Sequence, residues 1–599
     1  MNSNPWCQRR LGKLAPRALA TLIGLAGMGL LVSCDSTPEA SEHAAACDAG
    51  DVGITLAPGF CATVFADHLG HVRHMVVAPD GVLYANSWSG RYYHNDTPPK
   101  GGFLLALRDT RGTGHADVVQ RFGDDQEHGS NGGTGIAWFD GAVYAEVNDR
   151  IVRYQRHPGE IAPSGAAEVI VSGLPLTGDH PMHPFVIGPD GMLYVDVGSA
   201  TNACQEKNRM TRSEGIQPCE ELQTRAGTWR YDAQKTGQEF SPAERFVTGL
   251  RNGEGFAFDA QGRLYATQHG RDQLSQNWPG LYTVEQGADL PAEEIVQLRQ
   301  NVDYGWPECY YDQHQARLVL APEYGGDGGK TVGICGQKQA PVAAFPGHWA
   351  PNDLLIVTNE RFPAAYQGGA FVAFHGSWNR APMRQAGYNV VFQPLADGAR
   401  AGNYVVFADG FAGRHVEPSR AAFRPTGLAM GPDGALYIAD DVHGRIWRVV
   451  VQGDPGRVRV ASAPRPPGAI ASSDIPLPPE GMHDDAGRSI PDLPLPSGVS
   501  RDQLALGDRI FHGEVDGGTC SGCHGSDAKG GPQGPSLARG TWVWGDGSLA
   551  AISNTIRTGI EKPRNYSEPM PPLGGAQLSD ADLTAVAAYV WAVGHSGQN

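Results

Sequence analysis

The sequence predicts an all-β six-bladed β-propeller followed by a small all-α domain, on three observations. One hairpin pattern recurs six times between residues 51 and 451. Glycine is abundant, 80 of 599 residues, as a turn-rich β chain requires. After a proline-rich stretch the apolar spacing changes from alternation to helical periodicity.

The repeat reads Pro79-Asp80-Gly81-Val82-Leu83-Tyr84, Phe139-Asp140-Gly141-Ala142-Val143-Tyr144, Pro189-Asp190-Gly191-Met192-Leu193-Tyr194, Ala260-Gln261-Gly262-Arg263-Leu264-Tyr265 and Pro432-Asp433-Gly434-Ala435-Leu436-Tyr437, with a degenerate copy from Gln367 to Phe371. Asp-Gly turns the chain at positive φ, and the alternating apolar residues after it form a strand. Six hairpins over about 400 residues fit six propeller blades better than a β-helix, whose spacing would be regular. The long gap from Tyr265 to Phe371 predicts an insertion carrying Cys309 and Cys335.

Domain limits follow from composition. Residues 1–33 read as a lipoprotein signal peptide: Arg9, Arg10, Lys13 and Arg17 precede an apolar run ending in Leu31-Val32-Ser33-Cys34. The run is short for a spanning helix, and Cys34 is the expected site of lipidation. Residues 34–50 form a linker, 51–451 the propeller, 452–499 a Pro-rich linker and 500–599 the helical domain. The formal charge of −17 argues against nucleic acid as a partner. Six cysteines of an exported chain read as disulfides; fifteen pairings are open, and the local set Cys47–Cys61, Cys204–Cys219 and Cys309–Cys335 is favoured.

Cys520-Ser521-Gly522-Cys523-His524 is the C-x-x-C-H pattern of covalent haem attachment. The two thiols attach haem c, and His524 is placed to bind its iron. Gly534-Pro535-Ser536-Leu537 supplies a proline near that histidine, and Met570, within Pro569-Met570-Pro571-Pro572, is the expected second axial ligand, a thioether that raises the potential. Helices are expected from Ser500 to Phe511 and from Ser579 to about Val593; His595 is read as a terminal residue rather than a ligand. Residues 500–597 resemble a class I cytochrome c.

Within the propeller, four motifs carry a second resemblance. They are Asp179-His180 ahead of Gly188-Pro189-Asp190; Gly249-Leu250-Arg251-Asn252; His269-Gly270-Arg271-Asp272; and His375-Gly376-Ser377-Trp378-Asn379-Arg380 together with Arg424-Pro425-Thr426-Gly427. They resemble the soluble glucose and sorbosone dehydrogenases that depend on pyrroloquinoline quinone (PQQ). The resemblance implies that His180 is the general base, with His183 as an alternative, and that Asp179 contacts substrate. It implies that Arg251 and Asn252 hold the quinone oxygens, with Arg251 stabilising charge on the reduced cofactor. It further implies that Arg380 and Arg424 bind the PQQ carboxylates, and that the Gly270 and Arg271 carbonyls bind Ca²⁺. Thr426 stands where the family has a second Arg, the family Lys has no clean match, and Arg271 replaces a Pro. These departures point towards the sorbosone-type branch, as does Asp303-Tyr304-Gly305-Trp306-Pro307-Glu308-Cys309.

The implied activity is oxidation of a sugar, a sugar-derived aldehyde or an alcohol, with electrons passing from PQQ to haem c and on to a respiratory-chain acceptor. The implied location is the periplasmic side of a bacterial membrane, held by the lipid on Cys34; Asp35 favours the inner membrane. The alternatives are a propeller that only binds a partner or glycan, and a scaffold whose haem serves a separate enzyme.

Overall fold

The computed structural model describes residues 47–596, apart from 49, 51, 89–99, 124–132, 465–489, 516–517, 532 and 567–568. The leader with Cys7, Cys34 and Asp35 lies outside the described residues, as does the centre of the Pro-rich linker. Among the described residues no helix is long and apolar enough to cross a membrane.

Six sheets of four or five strands follow one another along the chain, antiparallel except for the parallel edge pairing of Glu168–Ser172 with Gln238–Glu239. Blade 1 comprises His71–Val77, Leu83–Trp88, Leu104–Arg108 and Val118–Phe122. Blades 2 to 5 begin with the inner strands Ile136–Phe139, Phe185–Ile187, Phe256–Phe258 and Pro351–Ile356. Blade 6 contains Pro425–Met430, Leu436–Asp440 and Ile446–Val451, and its outer strand is Phe60–Ala66 from the start of the domain. That pairing closes the ring, so no blade needs an exposed seam between first and last.

The predicted turns join the first two strands of each blade. At Asp140-Gly141 both residues take positive φ, 47° and 80°, as a tight hairpin matched to strand twist demands. Elsewhere the turn aspartate caps the backbone: Asp190 Oδ1 accepts from Met192 N at 3.1 Å and Asp433 Oδ1 from Ala435 N at 3.1 Å. The tyrosines after the turns, Tyr84, Tyr144, Tyr194, Tyr265 and Tyr437, are buried between neighbouring blades. Between blades 5 and 6 the filling is aromatic, with Phe371 edge-on to Phe407 at 4.7 Å and to Phe362 at 5.7 Å. Each such ring buried contributes on the order of 2–3 kcal/mol.

The insertion lies within blade 4. It carries the short helices Leu274–Asn277 and Val284–Asp289 before the third strand, and the hairpin Cys309–Asp312/Arg317–Leu320 before the fourth. Disulfides join Cys47 to Cys61, Cys204 to Cys219, and Cys309 to Cys335.

The C-terminal domain has helices α1 (Arg501–Phe511), α2 (Cys520–His524), α3 (Leu549–Thr558) and α4 (Asp580–His595). Capping boxes start α1 at Ser500 with Gln503 and α4 at Ser579 with Asp582. α1 crosses α4 at Gly507, where a Cβ would lie 2.0 Å from the Ala585 carbonyl oxygen; only glycine lets the two backbones approach so closely.

Candidate functional site

In each blade the inner strand starts, and the second strand ends, on the same face of the ring. Loops at those positions therefore converge over the centre, and they build a polar cavity. His180 comes from the loop into blade 3, Arg251 and Asn252 from the loop into blade 4, and Arg424 from the loop into blade 6. His269 to Asp272 and His375 to Asn379 follow second strands. Asp179, Arg209 and Arg73 complete the charged wall.

His180 is buried, and its Nδ1 faces the Ser199 carbonyl at 2.9 Å and the Ser199 hydroxyl at 3.0 Å. A carbonyl only accepts, so Nδ1 carries the proton and Nε2 keeps its lone pair. Burial, reinforced by the Arg251 charge, holds its pKa well below the ordinary imidazole value. The ring is therefore a neutral acceptor at physiological pH. Gly198 makes the arrangement possible: a Cβ there would lie 2.6 Å from His180 Cβ and 2.9 Å from Asn252 Oδ1. The alternative base, His183, is fully buried outside this cavity. It contacts Glu146 at 3.3 Å and the Pro175 carbonyl at 3.1 Å, and it is a structural residue.

Arg251 is braced on all sides. Its guanidinium donates to Asn202 O (3.1 Å), Asn202 Oδ1 (3.0 Å), Gly270 O (2.9 Å) and Asp272 Oδ2 (3.0 Å). Asp272 also pairs with Arg209 at 3.1 Å, and these two cations hold its carboxyl far below the usual range despite burial. Arg209 in turn donates to Asp179 Oδ2 at 3.0 Å, and Asn208 donates to the same carboxylate. Asp179 is thus fixed at the wall.

Arg424 donates to the carbonyls of His375 (3.1 Å) and Gly376 (2.6 Å) and lies over the Tyr388 ring. His375 contacts Asp441 at 2.9 Å; burial and the Arg424 charge bring its pKa down to about 4. His269, facing the Pro351 carbonyl, is brought down to about 3 by burial and Arg251.

Two expectations need correction. Arg380 does not reach the cavity. Its guanidinium is buried against the carbonyls of Ala288 (2.7 Å), Gly347 (3.1 Å) and Arg384 (3.1 Å), where it ties the insertion to blade 5. The second concerns calcium at Gly270 and Arg271. The Gly270 carbonyl already accepts from the Arg251 cation at 2.9 Å. Calcium takes six to eight oxygens, and a guanidinium on one of them does not fit it.

The wall does fit a flat polyanionic quinone. Four buried arginines, Arg73, Arg209, Arg251 and Arg424, line it, and Asn252 Nδ2, which reaches Glu254 only at 3.5 Å, adds an amide donor. Arg73 pairs with Asp441 at 2.8 Å. The sequence reading missed Arg73 and Arg209. The visible signals were a charged His71-Val72-Arg73-His74 inside an inner strand, and a short loop pinned between Cys204 and Cys219.

The helical domain holds a second, largely apolar cavity, lined by Phe511, Trp542, Ile552, Val586 and Val590. Cys520, Cys523, His524 and Met570 all face it. His524 Nδ1 donates to the Pro535 carbonyl at 2.8 Å, which leaves Nε2 as the nitrogen able to bind iron. Met570 is braced by paired backbone bonds to Ile560 at 2.8 and 3.0 Å. Two cysteine thiols outside any disulfide, an oriented imidazole and a thioether around an apolar slot fit haem c. His595 stacks on Trp591 at 4.0 Å and does not line this slot.

Residues 54–452 match the family described as TrAA12-like, and residues 505–590 the family described as cytochrome C oxidase, cbb3-type, subunit III. A pyrroloquinoline quinone-dependent pyranose dehydrogenase of Coprinopsis cinerea is 26% identical over 231 residues, 33% of this chain and 30% of that protein. The cbb3-type cytochrome c oxidase subunit FixP of Rhizobium etli is 44% identical over 75 residues, 12% of this chain and 25% of that protein. The chain therefore matches less than a third of the length of either relative. The holo PQQ domain of the Coprinopsis cinerea pyranose dehydrogenase shares the fold with a TM-score of 0.52 at 18% identity, covering 68% of this chain and 98% of that one. A family AA12 carbohydrate-active enzyme of Trichoderma reesei gives 0.53 at 19% identity, covering 67% and 98%.

Proposed function

The chain belongs to the TrAA12-like family, and from that premise we propose that it is a PQQ-dependent dehydrogenase that oxidises a sugar hydroxyl, or a sugar-derived aldehyde, and delivers the electrons to its own haem c. The observation that carries this reading is the neutral His180 imidazole set in a pocket walled by four buried arginines.

When bound, PQQ supplies a two-electron acceptor and haem c a one-electron acceptor. Arg251 would fix the quinone end and Arg73, Arg209 and Arg424 its carboxylates, each arginine offering directional donors in a dry site. Asn252 would offer its buried amide to the same group. His180 Nε2 receives the substrate hydroxyl proton, and the Nδ1 bond to Ser199 keeps the ring aimed while it does so. Asp179, held by Arg209 and Asn208, orients a second substrate hydroxyl. No step is routed through calcium.

His524 and Met570 would hold the haem iron in the apolar slot they both line. The chain is further proposed to be exported and lipid-anchored through Cys34, facing the periplasm, where a respiratory-chain acceptor empties the haem. The leader motif and three disulfides support that placement.

The test is calorimetric titration of PQQ into the purified haem protein, with and without Ca²⁺, followed by dye-coupled assays on pyranoses, sugar aldehydes and simple alcohols. Saturable PQQ binding with turnover of at least one pyranose or sugar aldehyde is expected. Binding without turnover on any of them, or no binding, would overturn the reading.

A further inference from the structure

The two cavities are not independent. Residues 45–599 form one compact unit, and Gln533 of the helical domain lines both the propeller cavity and the haem slot. Gln533 is buried and sits one residue before Gly534, whose built Cβ would lie 3.2 Å from His524 Nδ1. On the propeller side, Trp378 lines the same cavity and reaches the haem-attachment turn. A Cβ on Gly522, between Cys520 and Cys523, would lie 3.5 Å from Trp378 Cε3 and 3.1 Å from the Ala381 methyl.

A polar latch holds this seat. Glu417 accepts from Ser526 Oγ at 2.7 Å and from Ser526 N at 3.3 Å, and Arg420 Nη1 donates to Ser526 Oγ at 2.8 Å. Ser526 is two residues past His524. Ser419 packs on the same segment: a Cβ on Gly531 would lie 3.2 Å from its Cβ.

We infer that the haem domain is docked as a fixed roof over the propeller pocket, and that Trp378 and Gln533, wedged between pocket and haem-attachment segment, are the point at which electrons enter the haem. The Glu417–Ser526–Arg420 latch sets the register of that contact. For its electrons the inference rests on the dehydrogenase reading; the docking itself does not. Oxidation of one substrate hydroxyl to a carbonyl breaks its C–H and O–H bonds and releases two electrons and two protons. The protons leave through His180 to water. A haem c held by Cys520, Cys523, His524 and Met570 would accept these electrons one at a time and hand each to an external one-electron acceptor.

Two experiments on the full-length haem protein test it. In the first, Ser419→Cys/Gly531→Cys is oxidised without PQQ or substrate. The separation lies near disulfide range, roughly 3.5–4.5 Å between Cβ atoms, so peptide mapping is expected to find the 419–531 linkage. Thiols that remain free would overturn the docking. In the second, Glu417→Ala/Arg420→Ala is compared with wild type. Its dye-coupled rate, haem spectrum and potential are expected within twofold or unchanged, while substrate-driven haem reduction in a single turnover slows at least tenfold. In wild type the rate of that reduction is expected to be independent of protein concentration. A variant that reduces its haem as fast as wild type, or a wild-type rate proportional to concentration, would overturn the inference while leaving the dehydrogenase reading intact. Absence of dye reduction in wild type would instead sink the dehydrogenase reading, and the cross-link would still decide the docking.

Discussion

The Nδ1 atom of His180 lies 2.9 Å from the carbonyl oxygen of Ser199, and this single bond decides which imidazole nitrogen is available to substrate. Because Nδ1–H donates to that carbonyl and Nε2 keeps its lone pair, replacing the ring should remove the proton acceptor and little else. His180→Ala is expected to lower kcat by about 10²–10⁴, the usual contribution of a positioned base, with PQQ affinity changed less than threefold in calorimetry. A variant that keeps wild-type kcat would exclude His180 as the base.

The pH profile follows from the same environment. An imidazole held below its ordinary pKa by burial and by Arg251 protonates only in acid well under pH 6.5. The acidic limb of kcat/KM should lie correspondingly low, with full activity retained at pH 6. An acid limb centred at or above pH 6.5 in the wild type would contradict the assignment.

Arg251 and Arg380 separate two roles that look alike in sequence. Arg251→Ala removes one of the two cations that pair with the buried Asp272 carboxylate and leaves Arg209 in place, a loss of about 1–3 kcal/mol for a charged hydrogen bond, and should also abolish tight PQQ binding. Arg380→Ala leaves the carbonyls of Ala288 and Gly347 without their donor, a cost of about 1–3 kcal/mol, but should bind PQQ as wild type does. Denaturant unfolding beside calorimetry reads both effects.

Glu294 links stability to pH. Burial raises its pKa to about 8, with Gln268 donating to it at 3.2 Å. A carboxyl whose pKa is higher folded than unfolded binds more protons in the native state. Its contribution is present below about pH 4.5 and is lost as pH rises to 8, on the order of 4 kcal/mol in all. Glu294→Gln should flatten that part of the stability curve. An identical fall in the variant would show that another group is responsible.

Met570→Ala should leave haem c covalently attached through Cys520 and Cys523 but lower its midpoint potential, since the thioether is lost. Potentiometry at constant pH measures the shift; an unchanged potential would mean that another group binds the iron.

The repeat made the propeller legible, because Asp-Gly turns and the tyrosines after them carry their own geometry within six residues. The haem site was legible for a similar reason: Cys520, Cys523 and His524 are contiguous, and only Met570 is distant. The propeller cavity was legible where a motif carried it: His180, Arg251 and Arg424 all line it. It failed where function depends on tertiary placement. Arg380 occupies a plausible loop, yet three carbonyls from distant segments capture its guanidinium. Arg73 and Arg209 supply cations to the wall from an inner strand and a disulfide-pinned loop, and neither announces its target locally. Gln533 reaches the propeller cavity only because the domains pack, and nothing in its neighbours encodes that contact.

The most direct measurement is an anaerobic visible spectrum of the purified haem protein, loaded with PQQ and Ca²⁺ and then mixed with a pyranose or sugar aldehyde that turns over in the dye assay. Reduction of the haem by that substrate, lost when PQQ is omitted and lost in His180→Ala, is the expected result. A haem that stays oxidised while the dye is reduced, or that is reduced equally without PQQ, would contradict the account.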